Sequence, residues 1–365
     1  MTKQRLLSLD IYRGLTIAFM IVVNTPGSWQ YVYAPLRHSP WHGCTPTDLV
    51  FPSFLFIVGV SMWFSMKKYG HSINSSSVLK ILYRTSIIFA AGFLLNWFPF
   101  FGKELSTVRI MGVLQRIALA YGFGALICMI FRRNYLWVVS AVILLGYWAL
   151  LYFAGSNDPY SLEGNAALKV DLAVFGAAHL YHGFGIAFDP EGLLSTIPAL
   201  ATVIIGFMTG EIVGKGVHDM KKVLKMLFIG IMMTVAGLVW NIWFPINKPL
   251  WTSSYVLYTG GLSMIILGFL FLVIDVLKFK GWTGFFRHFG MNALFIYIVA
   301  SLWTKLMLII EVGEEGRSLY SWIYNSLCVP LLGNMNGSLL FALLQVFLMW
   351  ILVYILYRRK IFIKV

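Results

Sequence analysis

Residues 48–66 read DLVFPSFLFIVGVSMWFSM, one Asp followed by eighteen residues without a charged side chain. A helix needs about 20 mostly apolar residues to cross roughly 30 Å of hydrocarbon, and this stretch has that length. Working outward with the same window gives ten predicted spans, at 9–24, 48–66, 81–101, 107–131, 135–154, 191–214, 222–244, 254–277, 288–310 and 337–357. The chain therefore reads as an all-α integral membrane protein with about ten transmembrane helices. Within 311–336, Leu319–Leu332 is apolar but short, which leaves both an interfacial and a spanning course open. Composition agrees: of 365 residues 59% are hydrophobic and 12% charged, against roughly a quarter charged in ordinary globular proteins. These values exclude a disordered protein and an ordinary cytosolic enzyme, and three Cys exclude a disulfide scaffold.

The formal net charge of +14 would suit a nucleic-acid partner only if the cations formed a water-exposed patch. They flank alternate ends of the spans instead. Twenty fall on one side: Lys3, Arg5, Arg13, Lys67, Lys68, Lys80, Arg84, Arg132, Arg133, Lys215, Lys221, Lys222, Lys225, Lys278, Lys280, Arg287, Arg358, Arg359, Lys360 and Lys364. Six fall on the other, Arg37, Lys103, Arg109, Lys169, Lys248 and Arg317, while Arg116 and Lys305 lie inside spans. Because Lys and Arg are retained in the cytoplasm, both termini are expected there, and nucleic acid is not expected as a partner. No cleavage site follows Lys3 and Arg5, so the first apolar run is expected to be a retained helix. With no fixed-period repeat and no flexible linker, residues 1–365 are expected to form a single transmembrane domain.

Charged groups near a bilayer are costly and tend to mark sites, so those away from the cytoplasmic flanks carry the functional reading. Asp10 and Arg13 are three apart on one helix face, which suits an anchoring ion pair as well as a site. Asn24 ends the first span. Beyond it, 37–52 reads RHSPWHGCTPTDLVFP, a dense run of His38, Trp41, His42 and Asp48. Asp48 can simply cap the next helix and Trp41 can be an interfacial anchor. His38 and His42 have a metal-ligand spacing on a helix, but Pro40 disfavours a helix there and no metal is expected. Arg116, with Gln115 beside it, lies inside a span and needs a carboxylate, phosphate, water or carbonyl partner. Asp189-Pro190-Glu191 looks like a helix start, with Asp189 as its cap and Glu191 harder to dismiss. Asn247 and Lys248 sit in an outer loop where Lys248 breaks the charge pattern, and Asn292 in an apolar run suggests glue between helices.

Six segments occur in order: SLDIYRG at 8–14, HSPWHGCTPTDLVFP at 38–52, GVLQR at 112–116, DPEG at 189–192, NKPLW at 247–251 and GMN at 290–292. Together they resemble the family of transmembrane heparan-α-glucosaminide N-acetyltransferases and their bacterial relatives, across essentially the whole chain. The resemblance implies an acetyltransferase that takes acetyl from cytoplasmic acetyl-CoA and delivers it to an amino sugar on the outer, periplasmic side. It implies that His38 is the catalytic His and Asn24 the family's active-site Asn. A bacterial inner membrane and a homodimer are likewise implied, and the lysosomal enzyme's lumenal domain is expected to have no counterpart. Bacterial relatives are also associated with N-acetylglucosamine utilisation, so an amino-sugar transporter stays open as the alternative.

The residues suit that chemistry in their own right. An amine attacking a thioester must lose a proton, and neutral imidazole fits that task near pH 7. Asp48 or Glu191 could orient His38, and Asn24 could stabilise the oxyanion. Trp41, Glu191, Asn247 and Lys248 are the expected acceptor-binding residues. Arg13, Arg116, Asp10 and Gln115 are expected to hold acetyl-CoA, the two Arg as counter-charge to its phosphates.

Overall fold

The computed structural model describes residues 6–70, 72–313 and 316–363. Lys3, Arg5 and Lys364 of the charge pattern lie outside the described residues. The elements run α1 (Leu7–Asn24), α2 (Val50–Met66), α3 (Ser75–Trp97), α4 (Val113–Ile130), α5 (Leu136–Ala154), α6 (Ala166–Phe175) and α7 (Thr196–Gly214). They continue through α8 (Met220–Trp240), α9 (Ser253–Phe271), α10 (Gly284–Met291), α11 (Ala293–Ile309), α12 (Leu319–Ile323) and α13 (Val329–Arg358). Two two-residue strands, β1 (Glu311–Val312) and β2 (Arg317–Ser318), pair antiparallel. Among the described residues nine helices are long and apolar enough to cross a membrane, or ten if α10 and α11 count as one broken span. The protein is an all-α integral membrane protein.

Local polar chemistry sets the helix ends that hydropathy misplaces. The third span begins at Ser75 rather than 81 because Asn74 caps it: its Oδ1 takes the Ser77 N–H at 2.9 Å, and the Asn74 N–H donates to Ser77 Oγ. The fourth begins at Val113 rather than 107, since Asn96 Nδ2 donates to the carbonyls of Arg109 and Met111 and holds that segment out of the helix. The sixth begins at Thr196, so Asp189 does not cap it. The ninth breaks by 86° at Asn292. Asn292 is not glue between two helices: its Nδ2 donates to Ile361 O and its Oδ1 accepts from Ile363 N, tying the break to the C-terminal segment. Residues 319–332 are helical and end at Gly333 (φ 73°), where a kink separates them from the rest of α13.

The chain divides into two compact units, with sequence that passes from one to the other several times. The first comprises Met1–His38, Thr45–Val50 and Lys278–Lys364. In it α1 and α10 touch backbone to backbone. A Cβ on Gly14 would stand 1.8 Å from Phe286 O, and one on Gly290 would stand 1.9 Å from Asp10 O, so neither glycine tolerates a side chain. Arg13 Nη1 reinforces the contact by donating to Gly290 O.

The second unit comprises Ser39–Cys44 and Phe51–Leu277. Here α2 and α7 make the same kind of contact, with Gly206 against Phe56 O and Gly59 against Val203 O. Residues 155–188, between the fifth and sixth predicted spans, contain α6, whose N-terminus is capped by Asn165 Oδ1 accepting from Leu168 N. Leu168, Phe188, Leu194, Tyr147 and Leu250 form a buried cluster that fixes α6 and the 181–195 segment on α5.

Candidate active site

The motif at 38–52 folds around one carboxylate. Pro46–Leu49 forms a short 3₁₀ turn leading into α2, with Asp48 in its third position. Asp48 Oδ2 takes back the Thr45 N–H at 3.0 Å, which is the capping role. Its other oxygen, Oδ1, lies 2.6 Å from His38 Nδ1. Asp48 thus makes both contacts, the capping bond and the one to the imidazole, on separate oxygens. A carboxylate has no proton to give, so Nδ1–H is the donor, and the imidazole lone pair belongs to Nε2. Asp48 is 2% exposed and the His38 side chain 44% exposed: the acid is locked while the base reaches solvent. Two carbonyls brace the segment, Arg37 O accepting from Thr45 Oγ1 and Pro35 O from Thr47 Oγ1. In the same unit Asn24 is exposed as the last residue of α1, and Asp10 pairs with Arg13 at 3.2 Å.

The second unit holds the remaining expected residues in three groups. In the first, buried Asn247 donates through Nδ2 to Trp41 O at 3.0 Å and to His42 Nδ1 at 3.3 Å, while its Oδ1 accepts from Leu250 N. Trp41 donates to Tyr160 O and sets its ring edgewise on Phe184 and Phe188. Partial burial pushes the His42 pKa down, against a smaller upward pull from Asp158. Lys248 is half-buried, and its carbonyl accepts from Trp251 N.

The second group is an ion network. Arg109 grips Asp189 bidentately at 2.8 and 2.7 Å, pairs with Glu191, and lies over the Tyr181 ring at 4.9 Å. Burial opposes the Arg109 charge, but the bonds to Asp189 and the charge of Glu191 outweigh it and raise its pKa. The Glu191 carboxylate is bound to Arg109 through Oε2.

Third, Arg116 is fully buried in the first turn of α4, at the opposite end from Arg132 and Arg133. Its Nη2 donates to Gly192 O and Ser195 Oγ, and its plane lies 4.9 Å from the Trp251 ring centre. Gln115 beside it is equally buried, against Gly92. Asp171 on α6, which the sequence reading passed over, joins this group: its Oδ1 accepts from Leu193 N at 2.9 Å and from Leu194 N. Burial pushes its carboxyl up to about 6, helped by Asp189 and opposed by the two N–H groups and by Arg116. The only signal for Asp171 in the sequence is a lone acid in a helix that is apolar but for it and Lys169. Among the described residues no cluster of three or more His, Cys, Asp and Glu is arranged to hold a metal ion.

These features define a polytopic helical membrane protein with a solvent-reaching imidazole held by a buried carboxylate. Residues 5–237, which include that pair and the Arg109 and Arg116 groups, match the family described as heparan-alpha-glucosaminide N-acetyltransferase, catalytic. The chain belongs to that family. It is 28% identical to human heparan-alpha-glucosaminide N-acetyltransferase over 421 aligned positions, covering 99% of this chain and 60% of the human protein. It is 29% identical to the mouse protein of the same name over 356 positions, covering 81% of this chain and 53% of the mouse protein. The chain thus spans somewhat more than half the length of these curated relatives.

Proposed function

We propose that the protein is an acetyl-CoA-dependent N-acetyltransferase acting on an amino sugar, with His38 as its base. Family membership supports the reaction class. The observation that carries the residue assignment is the 2.6 Å contact between His38 Nδ1 and the buried Asp48. The donor set suits a thioester and an amine, since both substrates need proton traffic at one atom and neither needs a metal. Bound acetyl-CoA supplies an activated acyl carbon and a thiol leaving group.

In this reading Asp48 fixes the tautomer, and His38 Nε2 accepts the proton that the amine nitrogen loses as its bond to the acyl carbon forms. His38 then returns that proton to the departing sulfur as the C–S bond breaks, so the pair ends as it began. Asp48 stays ionised and stabilises the transient imidazolium, the part a carboxylate plays beside a catalytic His. Asn24, whose amide N–H groups suit a developing oxyanion, is assigned to that role. The charge pattern supports cytoplasmic delivery of acetyl-CoA and an acceptor on the opposite, periplasmic side, and a bacterial inner membrane rests on the family resemblance. We assign Asn247 to shaping its segment rather than to gripping the sugar, because both its polar atoms are spent on neighbours.

The test is acetyl transfer from labelled acetyl-CoA to glucosamine by the detergent-purified chain. His38→Ala is expected to abolish transfer, and His42→Ala to retain most of it. Folded protein that neither transfers acetyl nor binds acetyl-CoA would overturn the reading and put amino-sugar permeation, measured as uptake into liposomes, in its place.

A further inference from the structure

The second unit contains a cavity of about 100 Å³ where the C-terminal end of α2, the N-terminal part of α3 and the C-terminal half of α4 meet. Ser65, Tyr69, Ser77, Lys80, Arg84 and Tyr121 line it, together with three apolar side chains. Two cations and several hydroxyls face this space, and no carboxylate lines it. Arg84 lies over the Tyr121 ring at 4.6 Å. Its Nε is buried without a hydrogen-bond partner among the described residues, a costly state for a guanidinium donor. Lys80 is exposed at the rim with only the Tyr83 ring beneath its ammonium, at 5.5 Å.

Three other cations at this end of the unit are satisfied. Arg133 and Lys215 share Glu211, and Lys222 Nζ donates to the carbonyls of Val213 and Gly216. Lys80 and Arg84 differ from them in facing a cavity instead of a carboxylate or backbone carbonyls. The face of α3 beside the cavity presents Leu79, Leu82 and Tyr83, all more than half exposed, as a lipid-facing helix does.

We propose that this cavity is a binding site for a phosphate ester, held by Arg84 and Lys80, with Tyr69 and Tyr121 on its wall. A guanidinium fork and an ammonium are the side chains that recognise phosphate oxygens, and the missing partner of Arg84 Nε is an acceptor of that kind. Two sources carry this chemistry at the basic end of a membrane protein. One is the headgroup of an anionic phospholipid with its chains along Leu79 and Leu82, and the other is the phosphates of coenzyme A. The site stands independently of the acetyl-transfer reading, because only binding is claimed.

The experiment uses the full purified chain and three variants: Lys80→Gln, Arg84→Gln and, as a control for surface charge, Arg132→Gln. One arm measures retention of phosphatidylglycerol against diacylglycerol, which lacks the phosphate, by native mass spectrometry. A second arm titrates coenzyme A against dephospho-coenzyme A by calorimetry. Either cavity variant is expected to weaken one of the two phosphate ligands about tenfold while Arg132→Gln does not, and the arm that responds names the source. Lys80 lies at the rim, so its variant reports even where Arg84→Gln fails to fold. Native-like binding of both phosphate ligands by the folded cavity variants overturns the proposal, as does equal loss in the Arg132→Gln control.

Discussion

The His38–Asp48 pair and the Arg109–Asp189–Glu191 network each bury a carboxylate and compensate it, by opposite means. Asp48 faces an imidazole that is half in water and has both a neutral and a protonated form. Asp189 and Glu191 face a guanidinium that never gives up its proton. The first arrangement can pass a proton and return, because its neutral and charged states are both supported: Nδ1–H donates to the carboxylate in either. The second has one state only, and its fixed charges serve to lock the 181–195 segment against the start of α4. Ion pairing by itself is therefore a poor marker of a reactive site in this molecule; the titratable, solvent-reaching partner is the better one.

The largest expected effect separates these two carboxylates by activity. Asp48→Asn keeps the shape of the capping turn but removes the charge that holds His38, and acetyl transfer should fall by about 10²–10⁴ in kcat. Glu191→Gln should change kcat by less than about tenfold, since it touches no group assigned to proton transfer. Measuring both under saturating acetyl-CoA tests the contrast directly. Equal losses would break it and return Glu191 to the reaction.

Stability should show the reverse order. Arg109→Met leaves Asp189 and Glu191 buried without their cation, and removing one partner of a buried pair costs about 3–5 kcal/mol. A drop of several degrees in the unfolding temperature in detergent is expected, with most of it recovered in the triple variant Arg109→Met, Asp189→Asn, Glu191→Gln. Failure of the triple variant to recover would mean that the network is held by packing, with Arg109 acting through its contact with Tyr181.

The contrast also explains which parts of the molecule could be read beforehand. Hydropathy located the spans because apolar length is a local property, yet it missed the starts at Ser75, Val113 and Thr196. Those depend on side chains such as Asn74 and Asn96 that find backbone groups only once folded. His38 and Asp48 were legible because ten residues and a capping turn join them. Glu191 and Arg109 were noticed separately, but 82 positions lie between them and nothing in the sequence pairs them. Asp171 was invisible for the same reason: the backbone amides that hold it, Leu193 and Leu194, are indistinguishable from any others until α6 packs beneath them.

Asp171 falls between the two kinds of carboxylate and provides the smallest but most discriminating prediction. Its Oδ2 is buried without a hydrogen-bond partner among the described residues, and no cation is bonded to it. Its carboxyl is raised to about 6 from 3.8, chiefly by burial. Below pH 3.8 folded and unfolded chains both hold this proton and the group's contribution to stability is complete. Between that value and about 6 only the folded chain keeps it, so stability declines as pH rises, and above 6 the contribution is gone. The shift of about two pKa units sets an upper bound of about 3 kcal/mol. Asp171→Asn keeps an oxygen for the two N–H groups and has nothing to ionise. The difference in unfolding temperature, variant minus native, should therefore grow between pH 4 and pH 6 and then level off. A difference that stays flat with pH would mean that Arg116 already compensates the Asp171 charge, and would move this carboxylate into the same class as Asp189.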